Sequence, residues 1–137
     1  MKWNLLIVVI CAMAPILVVV AMPFWSLHGG YMDTRKICQR WGDLPLNIEK
    51  FRAADEDERS RAEMACSLLG QQDRFIGMHR LEILELFGDP SGYYFTEMTP
   101  TYLIETARSR DQDSWQIVFL INKDRLVRRI VVHKNCC

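Results

Sequence analysis

The sequence has no excess of charge of either sign and no familiar catalytic motif. Its 17 basic and 17 acidic residues give a formal net charge of zero, which argues against a nucleic-acid partner, because such proteins concentrate positive charge on one face. The patterns HExxH, GxSxG, CxxC and GxGxxG and the phosphate-binding P-loop are absent. Three histidines, His28, His79 and His133, are too scattered for ligand spacing. We therefore predict a protein that is not an enzyme, with no metal site and no cofactor.

A long apolar run near the N-terminus is the clearest feature that the chain does have. Residues Leu5 to Trp25 read LLIVVICAMAPILVVVAMPFW, without a charge. A hydrocarbon core about 30 Å thick needs roughly 20 helical residues, so this run is long enough to cross a bilayer. It exceeds the apolar stretch of a cleaved signal peptide. Residues 1–25 are therefore predicted to be an uncleaved transmembrane anchor, with a cleaved signal as the alternative.

The charges around this run give opposing indications of topology. Lys2 precedes it, whereas Arg35, Lys36 and Arg40 follow it, and a literal count by the positive-inside rule slightly favours a cytoplasmic domain. The very short tail before the run is instead typical of an export signal. We expect the domain on the periplasmic or extracellular side of the membrane.

The cysteines matter most if the domain is exported. Outside the apolar run they are Cys38, Cys66, Cys136 and Cys137, and four thiols allow three complete pairings. We favour one structural disulfide, from Cys38 or Cys66 to a C-terminal cysteine. A vicinal redox or metal-binding pair at Cys136 and Cys137 is the alternative.

The remaining pattern predicts an α+β domain over residues 51–137. Residues 26–50 contain Gly29, Gly30, Gly42 and Pro45 and are interpreted as a linker and an irregular segment, with a short helix plus a turn as the alternative for residues 37–50. Apolar periodicity then predicts two helices. In the first, the charged run Asp55 to Arg61 is interpreted as solvated first turns. The second begins near His79 and ends before Gly88 and Pro90, with Leu81, Leu84 and either Ile83 or Phe87 expected to face inward. Three strands follow, joined by a polar hairpin connection at 122–125: Tyr102–Thr106, Trp115–Ile121 and Leu126–His133. Two helices packed on a three-stranded antiparallel meander are the predicted architecture.

These elements carry a resemblance to a known family. A helix with a Gly-Met start and a hydrophobic-Gly-x-Pro end precedes a Tyr-containing strand, a Trp-initiated strand and a Val-rich last strand. This order resembles the SmpA/OmlA superfamily of small envelope proteins, which includes BamE-like assembly lipoproteins. The residues that match are Gly77, Met78, Leu84, Phe87, Gly88 and Pro90. The resemblance implies the fold shared with β-lactamase-inhibitor repeats and a protein-binding role. The chain has no lipoprotein signal, so the apolar run takes the place of the lipid.

The function predicted from these features is a non-enzymatic, membrane-anchored protein-interaction or scaffold module of the bacterial cell envelope. Its expected partners are the lipid bilayer, through Leu5 to Trp25, and an envelope protein. The aromatic triplet Tyr93, Tyr94 and Phe95 is the candidate interface, because exposed aromatic side chains anchor many interfaces, although they also fold back as core. Two alternatives are a thiol-redox or metal-binding membrane protein and an inhibitor-like binder of an envelope enzyme.

Overall fold

A computed structural model describes residues 30–54, 58–107 and 113–135 of the chain. The predicted anchor, Leu5 to Trp25, lies outside the described residues, and within them no helix is long and apolar enough to cross a bilayer. The described elements form an α+β domain. In chain order they are β1 (Tyr31–Met32), α1 (Thr34–Trp41), α2 (Ile48–Ala53), α3 (Glu58–Gly70), a 3-10 turn (Gln72–Arg74), α4 (Arg80–Phe87), β2 (Thr101–Glu105), β3 (Ser114–Ile121) and β4 (Val127–Asn135).

The four strands form one antiparallel sheet in the order β1-β4-β3-β2. The predicted α+β class and the antiparallel arrangement of the last three strands are confirmed. Asn122 closes the β3–β4 hairpin, because its side-chain oxygen accepts hydrogen bonds from the backbone N–H groups of Asp124 and Leu126. Strand β1 adds a fourth member at the edge, where Tyr31 pairs with His133.

The region 26–50, interpreted from sequence as a linker and irregular segment, contains β1, α1 and the start of α2. Strand β1 has two residues, which is too short for any alternation to be visible. Helix α1 buries only Ile37 completely, so its apolar stripe is weak in the sequence. The Asp33 carboxylate accepts a hydrogen bond from the N–H of Arg35 at its start, and Gly42 ends it. Within its described residues the domain thus has four α-helices and four strands, where two and three were expected.

The core is an aromatic cluster between the helices and one face of the sheet. Phe87 of α4 lies at its centre, with ring centroids 5.1 Å from Phe51, 5.4 Å from Phe75 and 5.1 Å from Phe119. Most of these pairs meet edge to face, which aromatic quadrupoles favour. On α4 the buried positions are Ile83 and Phe87. Leu84 is half-buried, and Leu81, which was expected to face inward, is exposed.

Arg61 of α3 is buried in this cluster, although the sequence had placed it in a solvent-facing charged run. Its guanidinium lies 5.4 Å from the ring centroid of Phe51 and 5.9 Å from that of Tyr102. It donates hydrogen bonds to the carbonyl of Phe51 and to the hydroxyl of Ser91, each 3.1 Å long. A buried cation with these partners fixes α3 relative to α2 and the segment after α4.

The family-motif residues fix the two ends of α4. His79 is the N-cap: its Nδ1 accepts a hydrogen bond from the N–H of Leu81, while Glu82 accepts one from the N–H of His79. Gly77 and Met78 hydrogen-bond Val127 at the start of β4. Gly88 has φ +84°, and a Cβ there would lie 3.1 Å from the Cγ of Arg52. These residues serve the backbone and the packing.

A disulfide joins Cys38 of α1 to Cys66 of α3, with their Cα atoms 5.0 Å apart. The expected bridge from one of these residues to a C-terminal cysteine is therefore wrong, since each is bonded to the other. The sequence did not reveal this pairing because it offered a short helix only as an alternative within residues 37–50 and not one beginning at Thr34. The packing of this helix, α1, on α3 brings the two thiols together. Cys136 and Cys137 lie outside the described residues.

The disulfide is expected to contribute a large share of the stability of so small a domain. Its partners are separated by 28 residues, so the double variant Cys38→Ala/Cys66→Ala should lose about 3.5 kcal/mol of unfolding free energy through the larger entropy of its unfolded chain. Urea denaturation measures this loss. The parent protein treated with a reductant is the control and should unfold with the double variant. Equal stability of the variant and the oxidised parent would contradict the expectation.

The His79 cap gives a second test of the fold. His79→Ala removes the acceptor for the N–H of Leu81 and should lower the unfolding free energy by about 1 kcal/mol. His79→Asn retains a neutral side-chain acceptor and should recover most of that loss. Denaturation midpoints of the two variants at one pH provide the comparison, and the cap has no energetic role if they coincide.

Candidate protein-interaction site

The face of the sheet opposite the helices is crossed by the segment between α4 and β2. Gln116 of β3 points to this face, yet it is almost fully buried. Its amide oxygen accepts a hydrogen bond from the N–H of Tyr93, and its amide nitrogen donates one to the carbonyl of Tyr93. Gly92 allows this close approach, because a Cβ there would lie 2.6 Å from the Gln116 amide oxygen. One buried amide thus holds the aromatic triplet against the sheet.

Four aromatic residues and one histidine form what we call the aromatic patch, on this face: Tyr31, Tyr93, Tyr94, Phe95 and His133. The imidazole of His133 contacts the rings of both Tyr31 and Tyr94, at centroid distances of 5.0 and 4.9 Å. The hydroxyls of Tyr31 and Tyr94 are hydrogen-bonded at 2.6 Å. Tyr94 in turn packs against Phe95 at 4.7 Å. The patch therefore joins β1, β4 and the crossing segment.

The two possibilities raised for the triplet, exposed anchors or core residues, both occur. Tyr94 is half-buried between its neighbours, while Tyr93 is 57% and Phe95 78% exposed. Phe95 is the most exposed of the large apolar residues within the described parts of the chain. Tyr31 contributes a partly exposed ring beside them. The patch is a supported aromatic surface, with a buried base and two projecting rings.

The backbone at Phe95 is strained. Its φ is +53°, in the left-handed region that L-residues with a Cβ avoid at a cost of about 1–2 kcal/mol. The N–H of Thr96 donates to the carbonyl of Tyr94 at 2.6 Å, which closes a tight three-residue turn with Phe95 at its tip. Glycine would adopt this conformation without strain. A bulky apolar residue at a strained, exposed tip contributes little to folding, and such outliers concentrate at functional sites.

Tyr94 and His133, at the base of the patch, have pKa values that burial shifts towards the uncharged form. Burial, reinforced by the hydrogen bond to Tyr31, raises the pKa of Tyr94 to about 12. Burial lowers the pKa of His133 from 6.5, opposed by a weaker contribution from the backbone at Lys134. Burial thus favours the neutral forms of both groups, which suits contact with another apolar surface rather than with a charged ligand.

A second aromatic cluster lies at the other edge of the sheet and is structural. The carboxylate of Glu105 accepts hydrogen bonds from the Trp41 indole, at 2.6 Å, and from the Arg40 guanidinium. The same guanidinium lies 5.1 Å from the ring centroid of Trp41 and 5.9 Å from that of Trp115. All its charged groups are thus paired, and the cluster joins α1 to strands β2 and β3.

The two sets of residues that the sequence singled out, the aromatic triplet and the residues that carry the resemblance, lie in different parts of the domain. Tyr93, Tyr94 and Phe95 lie together in the patch, whereas the family-motif residues lie at α4 and its ends. Tyr31 and His133 were not predicted as part of a site. His133 follows Val131 on the same face of β4, and this alternation was the available signal. Tyr31 gave none, because its strand is two residues long.

Neither a metal-binding cluster nor a known relative indicates a function for this chain. Within residues 30–54, 58–107 and 113–135, no three His, Cys, Asp or Glu side chains are grouped so that they could hold a metal ion. No protein-family model matches the chain, and neither a curated protein nor a solved structure shows significant similarity to it. The function must therefore be inferred from the geometry of the described residues and from the sequence.

His133 should make the domain sensitive to mild acid. Its unfolded form takes up a proton near pH 6.5, and its folded form does so only at lower pH, so unfolding free energy is lost as the pH falls through this range. His133→Phe keeps a ring between the two tyrosines but cannot titrate. We expect its stability to fall less than that of the parent between about pH 7.5 and about pH 5. Parallel losses in urea denaturation would show that His133 is not the titrating group.

Proposed function

We propose that this protein is a non-enzymatic, membrane-anchored interaction module of the bacterial cell envelope, of the SmpA/OmlA kind, which binds a protein partner through the aromatic patch. The proposal rests on Tyr93 and Phe95, whose side chains are exposed although the segment that carries them is held against the sheet. Both rings project into solvent from a segment whose backbone is fixed by Gln116. Such rings lose little conformational freedom when a partner covers them.

The chemistry of the patch matches that of interface hot spots. Binding energy at protein interfaces concentrates in a few aromatic side chains surrounded by polar groups that exclude water. Phe95 and Tyr93 offer apolar area, and the Tyr93 ring also carries a hydroxyl that can donate a hydrogen bond. The neutral state of Tyr94 and His133 avoids the cost of burying charge beneath them.

Two further observations support the envelope setting. A disulfide between Cys38 and Cys66 suits an oxidising compartment, because structural disulfides are rare in reducing ones. The apolar run from Leu5 to Trp25 is long enough to serve as the anchor. Together they favour a domain displayed on the periplasmic or extracellular side of a membrane.

Phe95 provides the sharpest test. Phe95→Gly removes the projecting ring and also the strain of the positive φ, which glycine adopts freely. The variant should therefore unfold at an equal or higher urea concentration, with a gain in unfolding free energy of up to about 1 kcal/mol. It should nevertheless lose partner binding. Leu81→Ala is the matched control, because Leu81 is a similarly exposed apolar residue, on α4, that lies outside the patch.

Photo-crosslinking in intact cells gives the readout. A benzophenone amino acid replacing Tyr93 in the full chain should form one discrete adduct, which should persist in the Leu81→Ala background and disappear in the Phe95→Gly background. The same benzophenone at position 81 should give none. An adduct that survives Phe95→Gly, or no adduct at position 93, would contradict binding through the patch.

A further inference from the structure

Helix α1 presents a basic face whose side chains the described part of the chain leaves exposed, with Arg40 the one that contacts the sheet. Ile37 is buried and Cys38 is bonded to α3, whereas Arg35, Lys36, Gln39 and Arg40 are all exposed. These four side chains share the outer side of the helix, because residues four apart along a helix lie on the same face. The helix contains no acidic residue.

The cations on this face are largely uncompensated. Arg40 is paired with Glu105 of β2, but Arg35 and Lys36 have no side-chain partner among the described residues. The Asp33 carboxylate is directed to the N–H of Arg35 as the helix cap. Two free cations thus project side by side from a helix that the disulfide holds rigidly on the domain.

The position of α1 in the chain leaves this face within reach of the predicted membrane. Tyr31 comes six residues after Trp25, the last of the apolar run, and even a fully extended chain of that length reaches only about 20 Å. Helix α1 begins three residues later, at Thr34. Anionic headgroups attract nearby Lys and Arg side chains within a Debye length of about 10 Å.

We propose that the basic face of α1 docks on the anionic surface of the lipid bilayer and so orients the domain. This inference rests on the membrane anchor of the proposed function and adds the surface by which the domain lies on its membrane. Tyr31 and Met32 point to opposite faces of the sheet, with Met32 packed on the core side together with α1, and Tyr31 in the aromatic patch. Docking through α1 therefore leaves Phe95 and Tyr93 free for a protein.

The reactivity of the native lysines reports the contact between α1 and the bilayer. The full chain is reconstituted in nanodiscs of phosphatidylcholine, with or without phosphatidylglycerol, and treated with a water-soluble amine-acylating reagent. Mass spectrometry then gives the rate at each lysine. Lys36 should react about tenfold more slowly in the anionic discs, and high salt should abolish the difference. Lys123, exposed in the β3–β4 turn at the other end of β4, should react equally in both.

A charge reversal separates specific docking from a general lipid effect. Arg35→Glu should equalise the Lys36 rates in the two kinds of disc, whereas the control Arg128→Glu, an equal charge change at an exposed position of β4, should preserve the protection. Equal Lys36 rates in a parent chain that has entered the discs overturn this inference alone. A chain that fails to enter them, or that carbonate extracts from cell membranes, overturns the anchor and this inference with it.

Discussion

The packing of Phe87 is the interaction on which the rest of the domain depends. Its ring contacts Phe51 of α2, Phe75 after the 3-10 turn, Tyr102 of β2 and Phe119 of β3. Four segments that are distant in sequence therefore meet at one side chain. The caps at both ends of α4 set the position of this ring, since His79 begins the helix and Gly88 ends it one residue after Phe87. Tyr102 strengthens that end, because its hydroxyl donates to the carbonyl of Gly88.

Patterns of several residues were predictable from the sequence, and single long-range contacts were not. Strands β3 and β4 are long and rich in apolar residues, so they were found in their correct order. Arg61 looked like a solvated charge because its partners, Phe51 and Ser91, lie 10 and 30 residues away. Leu81 was assigned to the core because the sequence of a short helix with many leucines does not show which side of it faces the core. In the folded domain the buried side is that of Ile83 and Phe87, four residues apart.

In the candidate site, too, a local pattern was predictable from the sequence and the long-range contacts were not. An aromatic triplet is visible in any reading of the sequence, but which of its members projects depends on a buried amide in β3 and on two rings from β1 and β4. Gln116 is a polar residue in a strand that otherwise looks like core, and only the crossing segment gives it partners. The exposed tip and the supporting base of the patch thus come from different parts of the chain. This explains how a strained Phe95 is tolerated: the strain is confined to a turn whose flanking residue is held independently.

The bond between Cys38 and Cys66 also has a mechanical consequence. If a partner holds the domain at Phe95 while tension is applied to the chain before Tyr31, the force enters through β1, which pairs with β4 over two residues and whose Tyr31 also contacts His133 and Tyr94. The next element along the chain is α1, and there the force meets a covalent link to α3 in the interior of the fold. The disulfide therefore keeps residues 39–65, the loop that it closes, from extending, while the residues before Cys38 are held by the buried Ile37 and by the contacts of Tyr31. Tension on the domain would thus lengthen the chain by fewer residues than in a domain without this bond.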